Sequence, residues 1–433
     1  MMLYAKIKDE DIEILKEFHK DKIHYIEVKI KNRGCICPKC SKFTAKVKEY
    51  KRKKIIHNIY AGEHTVIIYH QRRFICPLCK TTKMEDDPFS TIGSNISDYT
   101  MISILDDLKR YNHPFLEIAQ KNDLSATMIE KIFDKYVNIR RQYLPEVLSL
   151  DEFYFSKKSK KKYRLVLMNF MNAAIIDILK DRDKTTLSSY LRNIDLKERG
   201  HVKYVTIDMN ETYRDVIYRR LPNVTLIADS FHVVKYIAKA LDDVRKRIMK
   251  PYKDIRRCDE YYLLKYRDEL LYIKNIDDKR YTEVKYNHHF HYDISDKDKL
   301  EMMLKIDKDL KEAYELYHEY IRFNDKKYDD ISKVSGDLEE IINDFFISNN
   351  KEFNDLAHTL NNWKFEIVNS FIVYKGRRLS NGPMEKRNDL IKKILKIANG
   401  YTNFKRFRNR AMYCLNTLAD HGYPIKLKDL IDK

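Results

Sequence analysis

Three acids stand where metal chemistry is done. Asp151 follows the β-prone run Val147–Leu150, and Asp208 follows the run Val202–Ile207. Acids placed directly after strands in an α/β stretch lie at the strand C-termini, where functional groups gather. On neighbouring strands they suit a pair of Mg²⁺ or Mn²⁺ ions roughly 4 Å apart, the arrangement of two-metal phosphoryl transfer. Carboxylate oxygens prefer hard cations, and Mg²⁺ keeps positions for water and a phosphate. The third acid is Glu385. Ser380-Asn381-Gly382-Pro383 reads as a sharp turn with proline at a helix start. The helix buries Leu390, Ile391, Ile394 and Ile397, and presents Glu385, Asn388 and Lys392 on a separate polar face. Glu385 completes the cage, with Asn388 and Lys392 placed to touch a nucleic-acid strand. Taken singly, a strand-end Asp is as readily a turn residue, and an acid at a helix start answers the helix dipole. The set of three points to catalysis.

A fourth acid competes for the second position. Asp229, in Asp229-Ser230-Phe231-His232, also follows a strand-like run, Thr225–Ala228. Asp208 is preferred on strand position, and Asp229 with His232 is read as a near-site pair. His232 serves equally well as a satisfied interface histidine.

Four cysteines form two CPxC turns, Cys37-Pro-Lys-Cys40 and Cys76-Pro-Leu-Cys79. Each turn brings two thiolates to one tetrahedral Zn²⁺, and four sulfurs close the site, so the zinc is structural. Cys35 reads as a bystander, and His57, His64 and His70 are not needed as ligands.

The elements that must carry these residues follow from periodicity. Residues 1–95 hold β-prone stretches such as Thr65–Tyr69 and read as a small zinc-binding β unit. Residues 97–140 read as helical, with Ser97 or Asp98 as cap. Within them Pro114–Lys121 and Ala126–Phe133, joined by Asn122-Asp123-Leu124-Ser125, suit a helix-turn-helix whose second helix offers Thr127, Lys131 and Lys135 outward. From 146 to 230 strands at Val147–Leu150, Tyr163–Met168, Ala174–Leu179, Val202–Ile207 and Thr225–Ala228 alternate later with helices at Thr185–Asn193 and Tyr213–Leu221. Residues 233–362 lose the strands and read as a long all-helical insertion. Trp363 reads as core.

Charge names the partner class. The 433 residues carry 84 Lys and Arg against 65 Asp and Glu, a formal net charge of +19, which favours a polyanion through counterion release. Between Lys364 and Arg410 there are thirteen Lys or Arg and three acids, interleaved with aromatics; Lys405, Arg406 and Arg408 are candidate phosphate contacts. No apolar run reaches the length of a membrane span, and no signal peptide opens the chain. The expectation is a cytoplasmic, nucleoid-associated prokaryotic protein without a membrane partner.

The ordered set resembles the ISL-three family of insertion-sequence transposases. The likeness rests on the CPxC pairs, the helix-turn-helix, Leu150-Asp151-Glu152-Phe153, Thr206-Ile207-Asp208-Met209 and Ala228–Lys235. It continues through Ser380–Asn388, Ile391-Lys392-Lys393 and Ala398–Phe404. The resemblance implies a multidomain α+β DDE transposase with an RNase H-like catalytic domain interrupted by the insertion. Asp151, Asp208 and Glu385 are the implied triad. It would bind double-stranded DNA at the terminal inverted repeats of its element and at the target, and cleave and join strands. Two ends cut together imply a homodimer or larger synaptic assembly. Asp229 and His232 resemble the D-x-x-H signature of the related Mutator-like group. Ser230 departs from the family, where a basic residue is usual, as does Lys386-Arg387, where small or apolar residues are. The implied domains are the zinc module (1–95), the helix-turn-helix region (96–145), the catalytic domain in two parts (146–239 and 363–433, with the basic tail) and the insertion (240–362). Two rivals stand beside this reading: an inert zinc-finger and helix-turn-helix regulator, and a nuclease without strand transfer.

Overall fold

Alternating apolar and polar residues build the first sheet. In the computed structural model, which describes residues 3–58, 63–157 and 159–431, contacts divide the mixed α+β chain into two units. One comprises residues 1–141 and 389–433, the other residues 142–388.

The first unit opens with β1 (Ile12–Lys20) and β2 (Ile23–Ile30), followed by the short pair β3 (Cys35–Ile36) and β4 (Phe43–Thr44). Then come β5 (Val47–Ile56), β6 (His64–Ile75) and β7 (Thr82–Met84). The main sheet has the order β1-β2-β6-β5, with β7 also on β6. Along β2 the side chains of His24, Ile26 and Val28 point inward, the period-2 pattern of a half-buried strand. Helices α1 (Asp98–Lys109), α2 (Phe115–Lys121) and α3 (Ala126–Tyr136) follow. The Ser97 hydroxyl accepts from the Thr100 N–H and the Ser125 hydroxyl from the Met128 N–H, so each serine caps its helix. Between α2 and α3 the chain turns at Asp123, whose φ is +52°. Ile118, Ile129, Ile132 and Phe133 are buried between these helices with Leu105 and Leu108.

The second unit is built on β8 (Val147–Tyr154), β9 (Tyr163–Asn169) and β10 (Ile175–Leu179), then α4 (Lys184–Arg192), α5 (Leu196–Gly200), β11 (Tyr204–Ile207), α6 (Glu211–Arg220) and β12 (Thr225–Ala228). Its sheet order is β10-β9-β8-β11-β12. The first three strands pair antiparallel, while β11 runs parallel to both β8 and β12. The parallel strands are buried on both faces, which is why they read as nearly unbroken apolar runs. The strand carrying Asp151 runs on to Tyr154, beyond the expected end at Leu150, because β9 keeps pairing it as far as Tyr163. Its parallel ladder with β11 stops at Ser149. Asp151 therefore lies just past the end of the parallel ladder, within the antiparallel one.

The long helix α7 (Ser230–Met249) leads into α8 (Asp259–Tyr266), α9 (Lys279–Thr282), the hairpin β13 (Lys285–Asn287) and β14 (Tyr292–Ile294), and α10 (Asp296–Lys305). Next are α11 (Lys308–Asp325), α12 (Ile331–Ile347), α13 (Lys351–Asn362) and α14 (Lys364–Asn369). The stretch 240–362, expected to be an all-helical insertion, is thus not all-helical. Its hairpin is held by the Asn287 carboxamide oxygen, which accepts from the N–H groups of His289 and Phe290, and His291 takes a φ of +62°. Apolar faces of α7, α11, α12 and α13 join the sheet's core, with Trp363 only 2% exposed beneath the Arg214 guanidinium. The hairpin β15 (Val373–Tyr374) and β16 (Arg377–Arg378) precedes α15 (Gly382–Ile397), whose residues to Asn388 belong to this unit. Helix α16 (Phe404–Leu415) belongs to the first unit.

Candidate functional site

The two CPxC turns are built alike. The Ser41 N–H donates to the Cys37 carbonyl and the Lys80 N–H to the Cys76 carbonyl, each at 3.0 Å. The Cys37 N–H reaches the Lys42 carbonyl and the Cys76 N–H the Thr81 carbonyl, each at 2.9 Å. Ser41 and Lys80 take positive φ of +57° and +61°. The turns aim their sulfurs at one point. Cys37 and Cys79 are 3.4 Å apart, Cys40 and Cys76 3.5 Å, and all four lie within 4.8 Å of one another. A tetrahedral ion with sulfurs at about 2.3 Å sets them about 3.8 Å apart, so the cluster fits one ion with little adjustment. Cys35 stands outside this group.

In the second unit Asp151, Asp208 and Asp229 converge from three parallel strands. Asp229 is fully buried. One of its oxygens accepts from the Asn381 N–H at 2.9 Å and the other lies 2.7 Å from His232 Nδ1. The same Nδ1 is 2.9 Å from Asp208. These three residues form a compact ligand group, with one ligand atom from each lying within 4.8 Å of the others. Burial alone would lower the His232 pKa, yet Asp208 and Asp229 together raise it to about 10. The imidazolium therefore bridges two carboxylates. It leaves the Asp208 side chain 32% exposed and that of Asp229 at 0%.

Asp151 is the electrostatically stressed member. Burial and then the charge of Asp208 push its carboxyl up to about 7, against the bonds it accepts from the Glu152 N–H (2.7 Å) and Asn388 Nδ2 (2.6 Å). Two carboxylates that resist being charged together are the donor set a divalent cation satisfies. Glu385 sits half-buried in the first turn of α15, its N–H donating to the Asn381 carbonyl at 3.1 Å. Among the described residues, Asp151, Asp208 and Glu385 do not form a group as compact as Asp208, Asp229 and His232.

Asn388, expected to touch nucleic acid, is 3% exposed and turned to Asp151. Lys392 is exposed, 3.4 Å from Asp389. Beside the acids, Glu152 is held by the Tyr213 hydroxyl and the Arg182 guanidinium. Asn381, read from sequence as a turn residue, is fully buried and bonded to the strands that carry the acids. Ser149 and Thr206 are equally buried, their hydroxyls 2.7 Å apart. Their signal in the sequence was a hydroxyl inside an apolar strand, which needs a partner when buried.

In the first unit Thr127, Lys131 and Lys135 are exposed along α3. Lys405 is exposed on α16. Arg406 is engaged by Glu130 and Asp134, each at 2.7 Å, and Arg408 donates to the Ile139 carbonyl at 2.8 Å. No helix among the described residues is long and apolar enough to cross a membrane.

A model of the ISL3 transposase family, described as "Transposase", matches residues 148–411. The chain belongs to this transposase family. It is similar to the transposase for insertion sequence element IS1557 of Mycobacterium tuberculosis, in strains CDC 1551 / Oshkosh and H37Rv. Each is 27% identical over 130 residues, 30% of this chain and 28% of the relative. The match to these relatives thus spans 28% of their length. The family match encloses Asp151 on β8, Asp208, Asp229 and Glu385 on α15.

Proposed function

We propose that this transposase binds the terminal inverted repeats of an insertion sequence and carries out strand cleavage and strand transfer at Asp151, Asp208 and Glu385. One observation carries the reading: burial and the nearby charge of Asp208 raise the Asp151 carboxyl to about 7. A cation relieves that conflict. Bound Mg²⁺ or Mn²⁺ would neutralise the scissile phosphate and lower the pKa of the attacking oxygen. The chain's own residues do the positioning. Asn388 holds the Asp151 carboxylate in one orientation, and His232 fixes Asp208 against the buried Asp229. Water attack at the transposon end frees a 3′-hydroxyl, which attacks target DNA at the same site, so no covalent protein–DNA intermediate is required. Asp208 is favoured over Asp229 as the second ligand because its carboxylate retains solvent access.

The sheet order, three antiparallel strands followed by two parallel ones, supports an RNase H-like catalytic domain over 146–239 and 363–433, the latter with its basic tail, interrupted by the insertion 240–362. The four-sulfur cluster supports a structural Zn²⁺ within the module 1–95. Helices α2 and α3 of region 96–145 are assigned as a helix-turn-helix, with Thr127, Lys131 and Lys135 facing DNA. Residues 389–433 are also assigned to DNA binding, and two such chains are required to pair two transposon ends.

The deciding experiment measures Mg²⁺-dependent cleavage of a DNA carrying the transposon end. Asp151→Ala abolishes cleavage while end binding persists; unchanged cleavage refutes the assignment. Asp208→Asn and Asp229→Asn, tested separately, choose the second ligand, and loss in Asp229→Asn alone reverses the choice. Cleavage without joining to target DNA identifies a nuclease.

A further inference from the structure

The geometry points to Asn381 as the residue that sets the spacing of the acidic centre, holding together the three strand ends and the helix that carry Asp151, Asp208, Asp229 and Glu385. The inference rests on the metal-site reading above and adds a positioning residue to it.

Asn381 is fully buried, and its polar groups are used in four directions. Its Nδ2 donates to the Leu150 carbonyl at 3.2 Å, one residue before Asp151. Its Oδ1 accepts from the Thr206 hydroxyl at 2.6 Å, two residues before Asp208. Its backbone N–H donates to the Asp229 carboxylate at 2.9 Å. Its carbonyl accepts from the N–H groups of Met384 (2.8 Å) and Glu385 (3.1 Å), starting the helix of the third acid. The carboxamide has one orientation that satisfies these partners, since the Leu150 carbonyl only accepts. Ser149, also fully buried and 2.7 Å from Thr206, extends the chain into β8.

The arrangement answers a specific problem. Strands β8 and β11 cease to pair beyond Ser149 and Thr206, so no ladder bond sets the separation of Asp151 from Asp208. One side chain bonded to both strands replaces the missing rung. A buried network satisfied at every member is rigid, and groups behind metal ligands commonly govern affinity by about 10- to 100-fold.

The test measures Mn²⁺ binding directly, by the electron paramagnetic resonance signal of free Mn²⁺, beside cleavage, end binding and thermal unfolding of the full chain. Asn381→Ala weakens Mn²⁺ binding about 10-fold or more and slows cleavage about 30-fold, while end binding stays within about twofold. Thr206→Val, which keeps the side-chain shape, moves both in the same direction. Thr206→Ser, which keeps the hydroxyl, recovers most of the loss. Should Asn381→Ala fail to fold, the Thr206→Val and Thr206→Ser pair decides. Wild-type Mn²⁺ affinity in folded Asn381→Ala, or in Thr206→Val, overturns the inference. Asp208→Asn separates the two levels. If it still binds Mn²⁺ and cleaves, the metal-site reading falls; if it does neither while Asn381→Ala behaves as wild type, only this inference falls.

Discussion

Asn388 on α15 donates to Asp151 on β8 at 2.6 Å, joining Asp151 to the helix that carries Glu385. A neutral donor on a half-buried carboxylate favours its ionised form, against burial and the charge of Asp208, without competing for it as a cation would. Removing it costs a charge-assisted bond of roughly 1.5–3 kcal/mol. Asn388→Ala is therefore expected to slow end cleavage about 10- to 100-fold at saturating DNA, with end binding unchanged. Cleavage rates beside gel-shift affinities check this, and a rate within about twofold of wild type would remove Asn388 from the site.

Asp208 and Asp229 share His232, yet differ in burial, and the difference separates two kinds of loss. Asp229 has no solvent access and anchors the Asn381 N–H. Removing a buried, hydrogen-bonded charge destabilises by about 3 kcal/mol or more. Asp229→Asn should lower the thermal midpoint by several degrees, whereas Asp208→Asn should abolish cleavage with little change in that midpoint. Calorimetry and cleavage on the same preparations distinguish the two, and equal midpoints contradict the structural role given to Asp229.

Much of this site was legible because strands and caps follow local rules. The run Thr225–Ala228 coincides with β12, and Ser97 and Ser125 cap the helices expected of them. The CPxC turns met because each repeats one local hydrogen-bond pattern. What sequence did not disclose depends on distant partners. Asn381 reads locally as a turn residue, and only the fold brings Leu150 and Thr206 to its carboxamide. Asn388 lies on the polar stripe of its helix, but a stripe does not say whether solvent or another acid faces it. Arg406 sits in a basic run, and its partners Glu130 and Asp134 lie far upstream. Hairpin β13–β14 interrupts a helical composition because Asn287 makes the turn, a signal too short for periodicity.

The four-cysteine cluster should hold one ion per chain. Cys76→Ser is expected to release it and to unfold the module of residues 1–95, since structural zinc contributes on the order of 10 kcal/mol to small modules. Metal content by mass spectrometry and thiol-reactive chelator titration check the count. Retention of one tightly bound ion by Cys76→Ser would contradict the assignment.

His57 makes the first unit sensitive to acid. Burial lowers its pKa to about 4 from the usual 6.5, and its Nδ1 lies 2.8 Å from the Ser97 hydroxyl that caps α1. The unfolded chain therefore binds the proton more readily than the folded one. Stability is fully present above about pH 6.5 and is lost as pH falls towards 4. Between pH 7 and pH 5 the loss is about 2 kcal/mol. Urea unfolding at the two values measures it, and His57→Gln should remove that part of the slope.

Exposed and engaged cations make opposite predictions about salt. Lys131 and Lys135 are exposed on α3, the latter with its ammonium 4.8 Å from the centre of the Tyr136 ring, and neither is paired with an acid among the described residues, so each can displace a counterion from a phosphate. Replacing either by Ala should reduce the slope of log affinity against log salt by about one. The Arg406 guanidinium is already spent on Glu130 and Asp134, pinning α16 to α3. Arg406→Ala should leave that slope unchanged and instead lower affinity by loosening α3, together with the thermal midpoint of the first unit. Fluorescence anisotropy with a transposon-end duplex across salt concentrations tests both. A unit drop in slope for Arg406→Ala would mean that its pairing with Glu130 and Asp134 opens on DNA and that the arginine itself reaches phosphate.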